Sequence, residues 1–327
     1  MSVYNGASYL NDSIESVLNQ TFTDFEFIII DDASTDNSRL IIQENQRKDS
    51  RIRLIKHSTN KGLSVRLNEA LDLSNGEYIA RMDADDVCLP FRFDCQLEYL
   101  DRHTKVDICG SYVRYFGSES YINKLPCDHD DIIMELLFGC PLAHPTVVFR
   151  KQRVMEYNLS YCTTVKYAQD YNLWVSASRY LMFANISKVL LNYRYHSTSI
   201  SSTKRQVQLN SARDSQLKMF VYWGISKEDF EIYSDTLNKD RFSRSLNDIV
   251  LLHKLFQKLL SLNLKNNLVN QDKLQSFLSR RLFWACFYAT RNGIKIVSIY
   301  FSNKYTYRPH FFKRVEFYIR AFLKVKK

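Results

Sequence analysis

Asp83, Asp85 and Asp86 crowd into one short turn directly after the apolar run Tyr78-Ile79-Ala80. Carboxylates that close repel one another unless a cation sits among them, and carboxylate oxygens are the ligands that Mg²⁺ and Mn²⁺ prefer. Such metals are commonly shared with a substrate's phosphates, so this turn suggests work on a phosphorylated substrate. A second acidic pair, Asp31-Asp32, closes the run Phe25 to Ile30, and a third candidate, Asp170, precedes Tyr171-Asn172-Leu173-Trp174. Each has a plainer reading beside the chemical one: a solvated acidic loop for the turn, and helix capping for Asp32 and Asp170.

The elements that must hold these residues alternate in type. Leu10, Ile14, Val17 and Leu18 recur at helical spacing, which predicts a helix from about Ala7 to Gln20. Phe25 to Ile30 is a buried strand, and Ser34-Thr35-Asp36-Asn37 offers N-cap chemistry for a helix to about Arg47. Ile52 to His57 is the next strand, Asn60-Lys61-Gly62 a turn and Ser64 to Leu73 a helix. After Asn75-Gly76, Tyr78 to Met82 is a short strand, and Pro90 can start a helix to about Asp101.

Strands alternating with helices predict an α/β fold with a mostly parallel sheet flanked by helices. Ligands in such sheets bind outside the carboxyl ends of the strands, so the acids ending two strands converge on one site. The alternation weakens from Cys109 to Ser201, and the chain beyond reads as helical. A division into residues 1–201 and a helical extension, 202–327, is therefore expected. In the extension Ile249, Leu252, Leu255, Phe256, Leu259 and Leu260 form one apolar stripe, read as core.

A chain of 327 residues with 45 % hydrophobic and 24 % charged residues has the composition of a soluble globular protein. No uncharged apolar run approaches the length of a transmembrane helix, and the opening Met1-Ser2-Val3-Tyr4 has no signal-peptide pattern. Seven cysteines without a C-x-x-C pair read as buried thiols in a reducing cytoplasm, neither a disulfide frame nor a zinc site. The net charge of +10 is uneven: residues 201–327 hold 24 Lys and Arg against 9 Asp and Glu, leaving the rest acidic. Phe311 to Lys327 reads as a basic amphipathic helix, with Phe311, Val315, Tyr318, Ile319 and Phe322 on one side. Such a helix can lie on an anionic membrane, or its stripe can pack on protein. No nucleic-acid-binding motif accompanies the charge, so nucleic acid is not expected as a partner.

With these residues in view the sequence resembles the family 2 glycosyltransferases of bacterial surface-polysaccharide synthesis, which have the GT-A fold. The resemblance spans about residues 1–201. It rests on motifs in the family's order: Val3-Tyr4-Asn5-Gly6, Asp31-Asp32-Ala33-Ser34-Thr35-Asp36, Asn60-Lys61-Gly62, Arg66 with Asn68, and Gly76-Glu77-Tyr78. Then follow Asp83-Ala84-Asp85-Asp86, His144-Pro145-Thr146, Gln169-Asp170 with Trp174, and Tyr193-Arg194-Tyr195-His196.

The resemblance implies roles. Val3, Tyr4 and Asp32 would surround a uracil-like base, with Asn60 and Arg66 as further nucleotide contacts. Asp85 would touch an Mn²⁺ or Mg²⁺ ion, and Asp83 would meet the ribose or the metal. Asp170 matches the catalytic base, although Gln169 stands where the family usually has Glu. His196 is a weaker metal or phosphate candidate, no role is assigned to His144, and Trp174 is read as core. The implied reaction moves a sugar, with inversion, from a nucleotide-sugar donor such as a UDP-sugar to a glycan or lipid-linked acceptor. Capsule or lipopolysaccharide synthesis would be its setting, and the inner face of the plasma membrane its place.

One departure stands out. Relatives carry an apolar strand before the Val-Tyr-Asn segment, whereas Met1 stands where that strand is nearly finished. A first strand cut short, by a start placed too late or a truncated gene, is therefore expected. That leaves open an inactive binding or scaffold protein; the alternative enzyme is a sugar nucleotidyltransferase, which shares phosphate and metal chemistry but has no need of Asp170 as a base.

Overall fold

The computed structural model describes residues 1–195, 205–301 and 309–324. The chain divides into two compact units, Met1–Ser215 and Gln216–Lys327. This division falls beyond the expected 201/202 boundary, which itself lies outside the described residues.

In the first unit strands and helices alternate at the outset: β1 (Ser2–Val3), α1 (Ala7–Leu18), β2 (Phe27–Asp31), α2 (Ser38–Lys48), β3 (Ile52–Lys56) and α3 (Leu63–Leu73). β4 (Tyr78–Ala80), β5 (Val87–Cys88), α4 (Arg92–Arg102), β6 (Ile108–Gly117) and β7 (Tyr121–Asn123) follow. α5 (His129–Glu135), β8 (Val148–Arg150), α6 (Lys151–Glu156), α7 (Gln169–Ala177) and β9 (Phe183–Tyr195) complete it.

Residue type accounts for most of these elements. α1 buries Leu10, Ile14 and Val17, whose spacing keeps them on one helical face. Every residue of β2 is buried, as an uninterrupted apolar run requires when both faces of its sheet are covered. α2 starts within the expected segment, with Asn37 at the N-cap position but no side-chain capping bond, while Ser34 and Asp36 bond the turn after β1.

The sheet differs from the expected one in two respects. It is in two pieces, a parallel β1-β2-β3 and a second sheet ordered β4-β8-β6-β9-β5, with β7 paired to β6. Parallel pairing, expected for most strands, is limited to β1-β2-β3 and to β6 with β9. The other pairs are antiparallel, which needs no helical crossover. Val3, Leu10, Ile14, Ile29, Ile42 and Phe93 belong to the core that carries the strand ends discussed below.

The second unit is helical. α8 (Arg205–Tyr222) contains the division, and α9 (Lys227–Asn238), α10 (Leu246–Asn266), α11 (Gln271–Tyr288), α12 (Lys295–Phe301) and α13 (Phe311–Phe322) follow. A capping box starts α10: Ser245 accepts from the Asp248 amide while Asp248 accepts from the Ser245 amide. Of the expected stripe, Ile249, Leu252, Leu255, Phe256 and Leu259 are buried as core, and Leu260 is half-buried. Phe283, Phe287, Tyr300 and Phe317 form an aromatic cluster that seats α13 on α11 and α12.

Candidate active site

Asp32 lies just past the end of β2 and is 1 % exposed. Its Oδ1 accepts from the Lys61 amide at 3.0 Å and from Arg66 Nε at 2.6 Å, and Oδ2 accepts from the Gly62 amide at 2.8 Å. Burial alone would raise its pKa, but the bonds from Lys61, Arg66 and Gly62 hold it below the usual carboxylate range. Helix capping is therefore not its role. Arg66 is buried too, and donates also to Glu69 Oε2 at 2.9 Å and to the Thr59 carbonyl at 2.8 Å. Its guanidinium clamps Asp32 to the loop that carries Asn60, which is exposed beside it.

Val3 and Tyr4 part company at the end of β1. The Val3 side chain is buried in the core and its carbonyl accepts the Asp32 amide at 2.8 Å, while Tyr4 is exposed. Next to them the turns after β1 and β2 interlock. Asn5 Oδ1 accepts from the Thr35 amide at 2.8 Å, and Ser38 Oγ from the Gly6 amide at 2.9 Å. Asn5 and Ala33 have φ of 52° and 64°, left-handed values that cost a non-glycine residue energy and that these bonds hold in place.

The acid turn follows β4. One carboxylate oxygen from each of Asp83, Asp85 and Asp86 lies within 4.8 Å of the other two. Asp83 is ion-paired to the buried Arg81, and its carbonyl accepts from Ser13 Oγ at 2.8 Å. Asp86 is buried: Oδ1 accepts from the Arg194 amide at 2.8 Å, whereas Oδ2 has no hydrogen-bond partner. Burial, then the charges of Asp83 and Asp85, push the Asp86 pKa well above its usual value. A buried carboxylate oxygen without a donor, beside two more carboxylates, is a donor set that fits Mg²⁺ or Mn²⁺. The turn also meets the first one, since a Cβ placed on Gly6 would lie 3.6 Å from that of Ala84.

Asp170 occupies the first turn of α7, whose N-cap is Ala168, so it is not the capping residue. Its Oδ2 accepts from the Cys140 thiol at 3.7 Å. Burial raises its pKa, against the opposing Tyr171 amide and Arg81. The chain enters α7 through Tyr167, another left-handed residue, at φ 62°. Arg81 is the common neighbour: its charge acts on Asp83, Asp86, Tyr161, Asp170 and His144. His144 is buried, bonds the Tyr161 hydroxyl at 2.9 Å through Nε2 and stands edge-on to the buried Trp174. Burial, then Arg81, drives the His144 pKa well below the usual value, so this ring is neutral. His196 lies outside the described residues.

Sequence reasoning missed Arg81, Tyr161 and Cys140. Arg81 had a signal, since an arginine closing an apolar strand two residues before an aspartate has both a reason to be buried and a partner. Tyr161 and Cys140 had none, because only folding brings their loops to Asp170. Arg194 was noted only as a neighbour of His196. It donates through Nε to the Asp85 carbonyl at 2.8 Å and stacks over Tyr9 and Phe116, tying β9 to the acid turn.

Residues 1–163 fit the family model described as Glycosyl transferase family 2. A Haemophilus influenzae protein named as an uncharacterized glycosyltransferase is 32 % identical over 231 residues, covering 67 % of this chain and 72 % of its own length. An Escherichia coli UDP-Glc:alpha-D-GlcNAc-diphosphoundecaprenol beta-1,3-glucosyltransferase is 28 % identical over 245 residues, 71 % of this chain and 94 % of that one. Among solved structures, S. aureus TarS in complex with UDP-GlcNAc aligns with a TM-score of 0.59 over 94 % of this chain and 92 % of that one. At 18 % identity that likeness is one of fold, the GT-A fold. With a matching family model, a relative 32 % identical along most of its length and the family's fold, this chain belongs to glycosyl transferase family 2.

Proposed function

We propose that this chain is an inverting, metal-dependent glycosyltransferase that moves a sugar from a UDP-sugar to a hydroxyl of a lipid-linked glycan. Family membership carries the transferase class; donor, acceptor and stereochemistry are the finer reading. The observation that supports it most is the acid turn, with its donorless Asp86 oxygen, sharing Arg81 with Asp170.

In this reading the surface beside the exposed Tyr4 and Asn60 takes the base. Asp32 Oδ2 carries one bond, from Gly62, which leaves a lone pair for a pyrimidine N–H. Arg66 serves by holding that carboxylate in place, and Val3 by setting the turn that presents Tyr4. A divalent cation held by Asp85 and Asp83, with Asp86 behind them, would supply Lewis-acid stabilisation of the nucleoside-diphosphate leaving group. Arg81 keeps Asp83 oriented. Asp170 takes the proton from the acceptor hydroxyl as that oxygen attacks the anomeric carbon from the face opposite the leaving group. Burial makes this carboxylate a stronger base than an exposed aspartate, and one displacement inverts the anomeric centre.

The acceptor's setting is argued from α13. Among the described residues no helix is long and apolar enough to cross a membrane. α13 nevertheless exposes Phe312 and Phe322, at 73 % and 78 %, together with Val315, Tyr318, Ile319 and Leu323. Its other face, Phe317 and Ala321, is the one buried within the second unit. An exposed apolar stripe flanked by Lys313, Arg314 and Arg320 suits the surface of an anionic bilayer. Contact with the inner face of the plasma membrane would bring the enzyme to a lipid-linked acceptor for surface-polysaccharide synthesis.

Calorimetric titration of UDP, with and without Mn²⁺, into the chain and into Asp85→Asn tests the donor site. Metal-dependent binding that the variant loses is expected. Binding indifferent to both metal and variant would sink the reading. Phe312→Ser with Phe322→Ser should abolish sedimentation with anionic vesicles while leaving UDP binding unchanged, and vesicle binding that survives the pair would remove the membrane contact.

A further inference from the structure

The helical unit carries a group of arginines that sugar transfer does not use. Arg244 stands just before Ser245, the N-cap of α10, in the loop that starts at Asp240. That loop is fastened to the end of α11. Asn292 Nδ2 donates to the Arg244 carbonyl at 3.0 Å, and Phe242 meets Tyr288 edge-on with ring centroids 5.1 Å apart. Arg241 lies over the same Tyr288 ring, 4.8 Å from its centroid. Arg281 comes seven residues before Tyr288 on α11. That is close to two full turns, so both project from one side of the helix. Arg281 lies over the Phe277 ring at 4.9 Å, and its charge acts on Arg244.

The carboxylates nearby are engaged elsewhere. Asp248, the buried acid of α10, accepts from Lys239 at 2.7 Å through Oδ2 and from Thr236 at 3.2 Å through Oδ1, and the Ser245 amide donates to it as well. Asp240 is exposed and accepts from the Phe242 amide at 2.8 Å. Arg244 Nε is left buried with no acceptor, and among the described residues its guanidinium forms no ion pair. Burial pulls the Arg244 pKa below its usual value; Asp248 and Asp240 oppose that pull, and the charge of Arg281 adds to it. An arginine stays charged all the same, so this one is a cation held where it is short of partners.

We infer that Arg244 and Arg281 form a binding site for a dianionic phosphate group, a phosphomonoester or a diphosphate, with Arg241 at its rim. Two guanidinium groups whose charges oppose each other are matched by one ligand with two negative charges. Their planar N–H forks pair with phosphate oxygens two at a time. The buried Nε of Arg244 then gains the acceptor it lacks. A phosphodiester, with a single charge, offsets only one of the two arginines. Arg241, exposed and stacked on Phe242 and Tyr288, adds a third positive charge at the mouth.

The place of the site favours one source for that phosphate. The turn Thr290–Asn292, which bonds Arg244, also packs against α13. A Cβ placed on Gly293, the next residue, would lie 3.6 Å from Lys324 Cε, just past the end of α13. α13 is the helix proposed above to lie on an anionic bilayer, so a lipid with a terminal phosphate or diphosphate is within reach there. The lipid source rests on that membrane reading; the phosphate site does not.

Thermal melting without metal tests the site itself. Pyrophosphate should raise the melting temperature by at least about 3 °C over sodium chloride of equal ionic strength. Arg244→Gln should abolish that rise and, without pyrophosphate, melt no lower than the parent, because it removes a buried charge that has no partner. Arg280→Gln, the same charge change at an exposed position of α11, should keep the rise. A rise of equal size in Arg244→Gln would overturn the inference, as would a variant that melts lower than the parent, since its arginine would then be structural.

Sedimentation with phosphatidylcholine vesicles separates the sources. Vesicles containing phosphatidic acid should bind at least about tenfold more tightly than vesicles with phosphatidylglycerol at matched surface charge, and Arg244→Gln should erase the difference. Equal binding of the two, with the pyrophosphate rise intact, assigns the site to a soluble phosphate. Phe312→Ser with Phe322→Ser should remove sedimentation yet keep the pyrophosphate rise, so failure of the membrane contact and failure of this site are read separately.

Discussion

Two buried acidic positions of the first unit, Asp32 and Asp86, are held in opposite ways. Asp32 has both oxygens bonded, to Lys61, Gly62 and Arg66, and its pKa is held low. Asp86 is buried as deeply but keeps one oxygen without a donor, beside two more carboxylates, and its pKa is driven up. A carboxylate of the first kind is complete before any ligand arrives, so it can present a fixed lone pair. One of the second kind is short of positive charge and gains most from a cation. The same residue type is therefore held in two states, and the partners supplied by the fold decide which.

The largest expected effect falls on Asp170, which belongs to neither class because, as the proposed base, it would change its protonation during turnover. Asp170→Asn should lower sugar transfer by about 10²- to 10⁴-fold while leaving UDP affinity unchanged. Unchanged sugar transfer by the variant would remove Asp170 as the base, and pyrophosphate release from UTP and a sugar 1-phosphate would favour nucleotidyl transfer instead. The acid limb of the rate profile is a second check. A base works deprotonated, so activity should fall as pH drops through the raised Asp170 pKa, above the range of an exposed aspartate.

Arg66→Ala comes next. It leaves Asp32 buried with only amide donors, and should cost about 3–5 kcal/mol of stability by thermal or denaturant unfolding. A loss below about 1 kcal/mol would mean that Asp32 is not held as the structure has it. In the acid turn, Asp85→Asn should weaken Mn²⁺-dependent UDP binding at least about tenfold, read by calorimetry. The smallest effect carries the opposite sign to that of Arg66→Ala. Without metal, Asp86→Asn removes a repelled, buried charge and should raise stability by about 1 kcal/mol. If it destabilises as Arg66→Ala does, the contrast between the two carboxylates is broken.

Much of the site can be read from the chain because its parts are local. The turn after β2, the Lys61-Gly62 loop and the acid turn are short segments whose residue types announce strand ends and tight turns, and their order matches the family. Val3 is different. Its place in the motif suggests contact with the base, yet alternation along β1 turns its side chain into the core and leaves exposure to Tyr4. Arg66 likewise looks like a free phosphate contact until folding brings Asp32, Glu69 and Thr59 around it. On α13 the predicted apolar stripe exists, but the helix carries a second one. Phe317 and Ala321 fit the aromatic cluster of α11, so Val315, Ile319 and Phe322 are left outside.

By itself, then, the sequence determined most strands, helices and turns before Cys109, and which carboxylates stand at strand ends. Those depend on spacing and residue type within a few positions. The tertiary structure alone decided what each carboxylate bonds to and which apolar face of α13 is spare. Hydrogen-bond satisfaction and burial depend on partners tens of residues away, and no local pattern carries that information.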